Sequence, residues 1–171
     1  MADRTRRLFF ALWPKDELRR EIEHETRFAA RHSGGRVIAS SNFHFTLAFL
    51  GSVPESRLAA LFRCRDSVAI EPFELILGVL KRWPRQELLC LEPISGQDRL
   101  ADVADRLRAA LRAESFEIER RPFRAHLTLA RDVRREHEFK PIKPIHCLVE
   151  RMELVESQVT DRGSTYTVLQ E

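Results

Sequence analysis

Two stretches of sequence decide the fold of this chain: NFHFTLAFLG at residues 42–51 and PFRAHLTLA at residues 122–130. Each contains His-x-Thr-Leu, which starts at His44 in the first stretch and, 82 positions later, at His126 in the second. Both stretches are short and rich in Phe, Leu and Thr, which is typical of β-strands. Successive side chains of a strand point to opposite faces, so each histidine shares a face with the threonine two positions on. Each motif therefore predicts a strand with an imidazole and a hydroxyl on one side.

The opposite face of the first motif strand is expected to be buried, because it carries only apolar side chains: Phe43, Phe45, Leu47 and Phe49. A lone histidine in a strand is more often structural than catalytic. Two copies of one motif, half a chain apart and each backed by apolar residues, favour a shared functional site instead.

The elements around the two motifs follow the same order in both halves of the chain. The first half predicts a strand at 7–13, a helix from Pro14 to Gly34-Gly35, an extended piece at 36–39, the motif strand and a helix at 54–68. The second half predicts strands at 73–80 and 88–91, a helix at 97–113, a strand at 116–119 and the motif strand. Strands at 146–154 and 165–169 follow a charged loop at 132–144.

This pattern predicts an α+β fold. We expect a bilobal pseudo-twofold duplication with antiparallel sheets, helices packed outside, and the two motifs facing a central cleft. No linker-like composition separates the halves, so residues 1–171 are predicted to form a single domain of two similar lobes.

Composition favours a soluble cytoplasmic protein. A chain of 171 residues fits one domain, and no apolar run approaches the ~20 residues that a membrane helix needs. The N-terminus lacks a signal-peptide cleavage site, so we expect a cytoplasmic location without membrane association. The cysteines, which are odd in number and widely spaced, are expected to be buried free thiols: Cys64, Cys90 and Cys147.

The two motifs carry groups suited to phosphoryl chemistry. Two histidines can divide the acid and base roles near neutral pH. Thr46 and Thr128 can donate hydrogen bonds to a phosphoryl oxygen. Arginine, which binds phosphate bidentately, is concentrated in two regions: Arg4, Arg6 and Arg7, and then Arg120, Arg121, Arg124, Arg131, Arg134 and Arg135.

Other chemistries lack their sequence patterns. No His-x₃-His or Cys-x₂-Cys spacing, nucleotide-binding glycine pattern or Gly-x-Ser-x-Gly is present. We therefore expect no metal and no cofactor. The remaining histidines lack the motif setting and are expected to be non-catalytic: His24, His32, His137 and His146.

The chain resembles the two-histidine (2H) phosphoesterase superfamily, and within it the RNA 2′,3′-cyclic phosphodiesterases, also called 2′-5′ RNA ligases. The resemblance rests on five segments in the family order: RLFFAL at 7–12, HFTLAFLG at 44–51, PFRAHLTLAR at 122–131, LVES at 154–157 and GSTY at 163–166. Ala125 stands where relatives often carry proline.

The resemblance implies metal-free hydrolysis of RNA 2′,3′-cyclic phosphate ends to 2′-phosphomonoesters. It implies that His44 is the proton donor to the leaving O3′ and that His126 is the proton acceptor that activates water. It further implies that the phosphate is bound by Thr46, Thr128 and Arg131, and that the terminal nucleoside is contacted by Phe10. Strict alternation puts Arg131 on the face opposite His126, so its role requires a bulge or a strand end nearby.

Two alternatives remain open from the sequence. The same site can serve ATP-independent 2′-5′ RNA ligation, or the chain can be a non-catalytic RNA- or nucleotide-binding module. The expected partners are RNA ends or cyclic nucleotides, and we expect a monomer without an obligatory protein partner.

Overall fold

The computed structural model describes residues 4–161 and 163–171, which contain two antiparallel sheets and three α-helices. The helices are α1 (Asp16–His32), α2 (Leu58–Asp66) and α3 (Gln97–Ala113). The strands are β1 (Thr5–Leu12), β2 (Arg36–Val37), β3 (Phe45–Pro54), β4 (Phe73–Trp83), β5 (Leu88–Ser95), β6 (Leu127–Arg131), β7 (Ile145–Val149), β8 (Glu153–Thr160) and β9 (Gly163–Val168).

Each sheet contains one motif strand. The four-stranded sheet has the order β3-β1-β8-β9, and the five-stranded sheet has the order β2-β6-β5-β4-β7. In the first sheet β1, α1 and motif strand β3 form a unit, and β1 pairs antiparallel with β3. In the second sheet β5, α3 and motif strand β6 repeat that unit with the same pairing. The predicted α+β fold, with antiparallel sheets and a pseudo-twofold duplication, is confirmed.

The lobes do not coincide with the halves of the chain. Strands β8 and β9, near the C-terminus, complete the sheet of the first motif, and β2, from the first half, pairs with the second motif strand. The apolar core draws on both sheets, since one cluster contains Phe10 and Phe45 together with Leu75, Leu91 and Leu129.

Helix α3 shows why the helical predictions succeed. Its buried residues recur every three or four positions, the period of one helix face: Leu100, Val103, Ala104, Leu107 and Leu111. The observed bounds equal the predicted range, 97–113. Helix α1 carries Asp16 and Glu17 in its first turn and ends before Gly34, whose φ is +73°.

Two predicted strands are wrong. Residues 116–119 form no strand, because the Phe116 N–H donates to the Leu111 carbonyl and is used to close α3. The stretch 146–154 is not one strand but parts of two. The chain leaves the five-stranded sheet after β7, turns at exposed Glu150 and Arg151, and enters the four-stranded sheet as β8.

Two other expectations, on the charged loop and the cysteines, hold. Residues 132–144 contain no helix or strand, as predicted for the charged loop. All three cysteines are buried and unpaired with each other. Within residues 4–161 and 163–171, no helix is long and apolar enough to cross a membrane.

Candidate active site

A β-bulge lies at the same place in both motifs. In the β1–β3 pairing, Phe10 faces Ala48 and Ala11 faces Thr46, so Leu47 has no partner. In the β5–β6 pairing, Leu89 faces Ala130 and Cys90 faces Thr128, so Leu129 has no partner. The extra residue reverses the alternation of the side chains that follow it.

The bulges decide where Arg131 and Phe49 point. After Leu129, Ala130 is fully buried, and Arg131 lines the same cavity as His126, as its predicted role required. After Leu47, Ala48 is buried and Phe49 is 45% exposed. The prediction that Phe49 is buried is wrong, because the bulge turns this position outward in the first lobe just as it turns Arg131 outward in the second.

The structure brings the two motifs together. One cavity of about 600 Å³, here called the His-x-Thr cavity, is lined by both histidines, both threonines and Arg131. His44, Thr46, His126 and Thr128 are each partly exposed to it, and the alternate residues Phe45, Leu47, Leu127 and Leu129 are fully buried behind them. The same-face arrangement inferred from strand alternation is present in both lobes.

Both imidazoles are held in the same way. His44 Nδ1 lies 2.7 Å from the carbonyl oxygen of Asn42, and His126 Nδ1 lies 2.8 Å from that of Arg124. A carbonyl only accepts, so Nδ1 carries the hydrogen in both rings and Nε2 of the neutral imidazole carries the lone pair. The Thr46 hydroxyl lies 3.1 Å from His44 Nε2. Nε2 is therefore the atom of each ring that can exchange a proton with a substrate.

Each histidine ring also packs against a tryptophan ring, and an arginine guanidinium lies over that tryptophan. The His44 ring is stacked 5.6 Å from Trp13, over which the Arg19 guanidinium lies at 4.5 Å. The His126 ring lies 4.2 Å from Trp83, over which Arg124 lies at 4.4 Å. Sequence reasoning missed both tryptophans, since they come from elements distant in sequence from the motifs.

The two arginines differ in how closely a carboxylate balances their charge. Arg124 pairs with Glu92 at 2.7 Å, and Trp83 Nε1 donates to the same carboxylate at 2.6 Å. Arg19 is 8% exposed, and its nearest carboxylate, that of Asp16, is 4.0 Å away. The environment of His44 is therefore more electropositive than that of His126.

Burial is the main cause that lowers the pKa of both histidines. It lowers the pKa of His44 to about 4, partly opposed by the Asn42 hydrogen bond and reinforced by Arg131, His126 and Arg19. The pKa of His126 is also lowered, against the raising effects of the Arg124 carbonyl and Glu92. Both imidazoles are therefore neutral at pH 7 in the empty cavity.

Phe10 does not reach the cavity. Strand β1 is covered on both faces, with Leu8, Phe10 and Leu12 in the main core and Phe9 and Ala11 in a second cluster. Phe10 has no exposed surface, so the predicted contact between Phe10 and a nucleoside is wrong. Phe9 lies on the site side instead, 5.0 Å from His44 and 5.4 Å from Tyr166 of β9.

Most of the arginines in the two sequence clusters form ion pairs and do not line the His-x-Thr cavity. Arg6 pairs with Glu55 at 2.7 Å and with Glu156 at 3.1 Å. Arg134 pairs with Glu87 at 3.4 Å.

The four histidines outside the motifs do not line the His-x-Thr cavity. Within the described part of the chain, no group of three or more His, Cys, Asp or Glu side chains is arranged to hold a metal.

Two similar lobes that each bring one His-x-Thr pair to a shared cavity define a two-histidine phosphoesterase. The chain belongs to the 2′-5′ RNA ligase superfamily, whose sequence profile matches residues 14–161. The resemblance inferred from the sequence is thereby confirmed.

Individual relatives agree with this assignment. An RNA 2′,3′-cyclic phosphodiesterase of Escherichia coli K12 is 35% identical over 127 residues, covering 74% of this chain and 72% of that protein. A protein of the same name from Thermotoga maritima is 26% identical and covers 96% of this chain and 94% of its own length. The crystal structure of E. coli LigT complexed with 3′-AMP superposes with a TM-score of 0.87 at 29% identity, covering 98% and 97% of the two chains.

Proposed function

We propose that this protein is an RNA 2′,3′-cyclic phosphodiesterase that hydrolyses cyclic phosphate ends to 2′-phosphomonoesters. The observation that carries the proposal is one cavity lined by two imidazoles with the same tautomer and by the threonine of each motif. The names of the E. coli and T. maritima relatives support the same substrate and reaction.

Proton transfer is assigned to the two Nε2 atoms. His126, neutral in the empty site, takes a proton from water as the water oxygen bonds to phosphorus. The bond between phosphorus and O3′ breaks, and protonated His44 gives its Nε2 proton to the departing oxygen. The product is a 2′-phosphomonoester with a free 3′-hydroxyl. Which histidine gives and which takes is assigned from the family resemblance.

The negative charge of the substrate favours protonation of His44, whose pKa is low in the free protein. A cyclic phosphodiester carries one negative charge, and an anion close to an imidazole favours its charged form. Binding therefore raises the pKa of His44 from about 4 towards the range in which it can act as an acid. The proton donor is prepared only when the anionic substrate is present.

The remaining cavity groups stabilise the reacting phosphate. Thr46 and Thr128 offer hydroxyl donors from the two lobes, and Arg131 adds a positive charge. Preorganised donors of this kind act on the charge that develops on the phosphoryl oxygens. We propose no metal or cofactor for these steps, because the chain supplies every group they require.

Ligation is the second candidate, favoured by the family to which the chain belongs. It is the same displacement at phosphorus: the 5′-hydroxyl oxygen of a second RNA attacks in place of water, O3′ leaves with the proton from His44, and a 2′-5′ phosphodiester forms. We further propose that the protein acts in the cytoplasm as a monomer and that its two lobes form one domain, which the shared core supports.

The test uses His44→Ala and His126→Ala with an oligonucleotide that ends in a 2′,3′-cyclic phosphate. Loss of one proton-transfer group is expected to lower the hydrolysis rate roughly 10²–10⁴-fold. Far-ultraviolet circular dichroism verifies that both variants are folded, and His24→Ala, at an exposed position of α1, serves as the matched control. A parallel reaction with a 5′-hydroxyl oligonucleotide measures ligation. Near wild-type hydrolysis by either motif variant would contradict the mechanism.

A further inference from the structure

A second cavity adjoins the His-x-Thr cavity. Its volume is also about 600 Å³, and the two cavities share Thr46, His126 and Leu88. We call this second cavity the arginine groove. It continues from the reacting centre between the β4–β5 connection and the segment before β6.

The arginine groove is lined by six cationic side chains and one carboxylate, that of Glu119. The cations are Lys81, Arg82, Arg85, Arg108, Arg121 and Arg124. Three of the six are already paired, Arg82 with Glu136, Arg121 with Glu119 and Arg124 with Glu92. The other three make no salt bridge among the described residues, so the groove keeps an excess of positive charge.

Arg108 is the most informative of these three. Its guanidinium is partly buried and donates to two backbone carbonyls, that of Leu47 at 3.3 Å and that of Arg121 at 2.8 Å. Burial lowers the pKa of this group, so the protein destabilises the charge that it places there. Asp105 and Glu119 raise this pKa again without cancelling the effect of burial, and neither forms a salt bridge with Arg108, so an anion in the groove would stabilise the charge further. Since Leu47 follows Thr46, this anion site lies beside the reacting phosphate but outside the His-x-Thr cavity.

Aromatic side chains are interspersed with the cations. Phe49, turned outward by the bulge, is 45% exposed and lines the groove together with Trp83 and Phe123. Alternating cations and aromatic rings suit single-stranded nucleic acid, because the cations follow the phosphodiester backbone and the rings accept unpaired bases. A mononucleotide offers one phosphate and one base and leaves most of these groups unused.

We infer that the arginine groove binds the RNA strand that carries the cyclic phosphate, at the nucleotides adjoining its terminal one. Arg108 takes the first phosphodiester, Arg85 and Lys81 take phosphates further along the strand, and Phe49 provides a surface for a base. The inference rests on the proposed function and deepens it: the enzyme prefers single-stranded RNA ends to cyclic mononucleotides.

The test compares two substrates in one protein. The double variant Lys81→Gln/Arg85→Gln changes two exposed cations, one near the end of β4 and one in the turn between β4 and β5, and neither belongs to a histidine motif. We measure KM for a ten-nucleotide RNA with a 2′,3′-cyclic phosphate and for a 2′,3′-cyclic mononucleotide. The ratio of the first KM to the second is expected to rise about five- to tenfold. The slope of log KM for the RNA against log salt should fall by ~0.7 for each phosphate that the variant no longer neutralises.

The matched control is Arg20→Gln, an exposed arginine of α1 outside both cavities, which should leave the ratio unchanged. An unchanged ratio in the double variant, or an equal rise in both KM values, would overturn the inference. Impaired ligation to a 5′-hydroxyl RNA without a change in RNA hydrolysis would also overturn it, because the groove would then hold the acceptor strand. Failure of the wild-type protein to hydrolyse either the RNA or the cyclic mononucleotide would instead contradict the proposed function.

Discussion

His44 and His126 share a tautomer but not an electrostatic environment. Arg19 stands over the tryptophan beside His44 with its nearest carboxylate 4.0 Å away, whereas Arg124 on the other side is paired with Glu92 at 2.7 Å. Repeated motifs have thus been placed in unequal surroundings. Burial, reinforced by the arginine charge, keeps the pKa of His44 low and makes its protonation depend on a bound anion.

The first prediction concerns the titration of His44. By NMR, its midpoint in the protein without ligand should be about 4, because burial disfavours the imidazolium. Saturating inorganic phosphate should raise that midpoint, since the anion stabilises the charged ring. A titration in sodium chloride of the same ionic strength reports any general effect of salt. A midpoint near 6.5 without ligand, or one that phosphate leaves unmoved, contradicts the account.

A second residue-scale prediction follows from the burial of Phe10. Phe10→Ala removes a fully buried ring from the core and should lower the free energy of unfolding by ~3–5 kcal/mol. KM for the cyclic mononucleotide should change little at a temperature where the variant is folded. Phe49→Ala, at a position 45% exposed, should cost less stability in the same denaturant titration. A large KM effect with little loss of stability would restore Phe10 to the binding site.

At the scale of elements, the direction of the side chains can be predicted from the sequence before each bulge but not after it. Alternation before the bulge correctly places each His and Thr on one face. The bulge itself leaves no sequence signal, because Leu47-Ala48 and Leu129-Ala130 read as ordinary strand. The exposed Phe49 therefore escaped prediction. For Arg131, the mismatch between its expected role and strict alternation did indicate that a bulge was needed.

The short strand β2 is predicted to hold Arg131 in place. Arg36 of β2 lies opposite Arg131 of β6 in the register of the sheet. A Cβ on Gly35 would lie 2.3 Å from the Arg131 carbonyl oxygen and 2.6 Å from a Val133 methyl group. Gly35→Ala should therefore push β2 away from β6 and displace Arg131. We expect kcat/KM to fall about ten- to hundredfold, which corresponds to the ~1.5–3 kcal/mol of a hydrogen bond to a charged group.

A double-mutant cycle distinguishes this effect from general destabilisation. If Gly35→Ala acts through Arg131, it should have little further effect in an Arg131→Ala background. Fully additive losses in kcat/KM would show that the two positions are independent.

At the scale of the whole molecule, the repeated motif predicted the architecture but not the path of the chain. Two His-x-Thr strands half a chain apart implied two lobes and a cleft. They did not reveal that β2 and β8 cross to complete the opposite sheets, because strand partners far apart in sequence leave no local pattern. The same limit hid Trp13 and Trp83, which reach the histidines only through the assembled fold.

Metal-free hydrolysis of a cyclic phosphate by the histidine pair can be tested by the identity of the product end. Purified protein treated with a chelator is incubated with an RNA that ends in a 2′,3′-cyclic phosphate. The position of the phosphate in the product is then determined by mass spectrometry against authentic 2′- and 3′-phosphate standards. We expect undiminished turnover to the 2′-phosphate with a free 3′-hydroxyl. A 3′-phosphate product, or activity lost to the chelator and restored by a divalent ion, would contradict it.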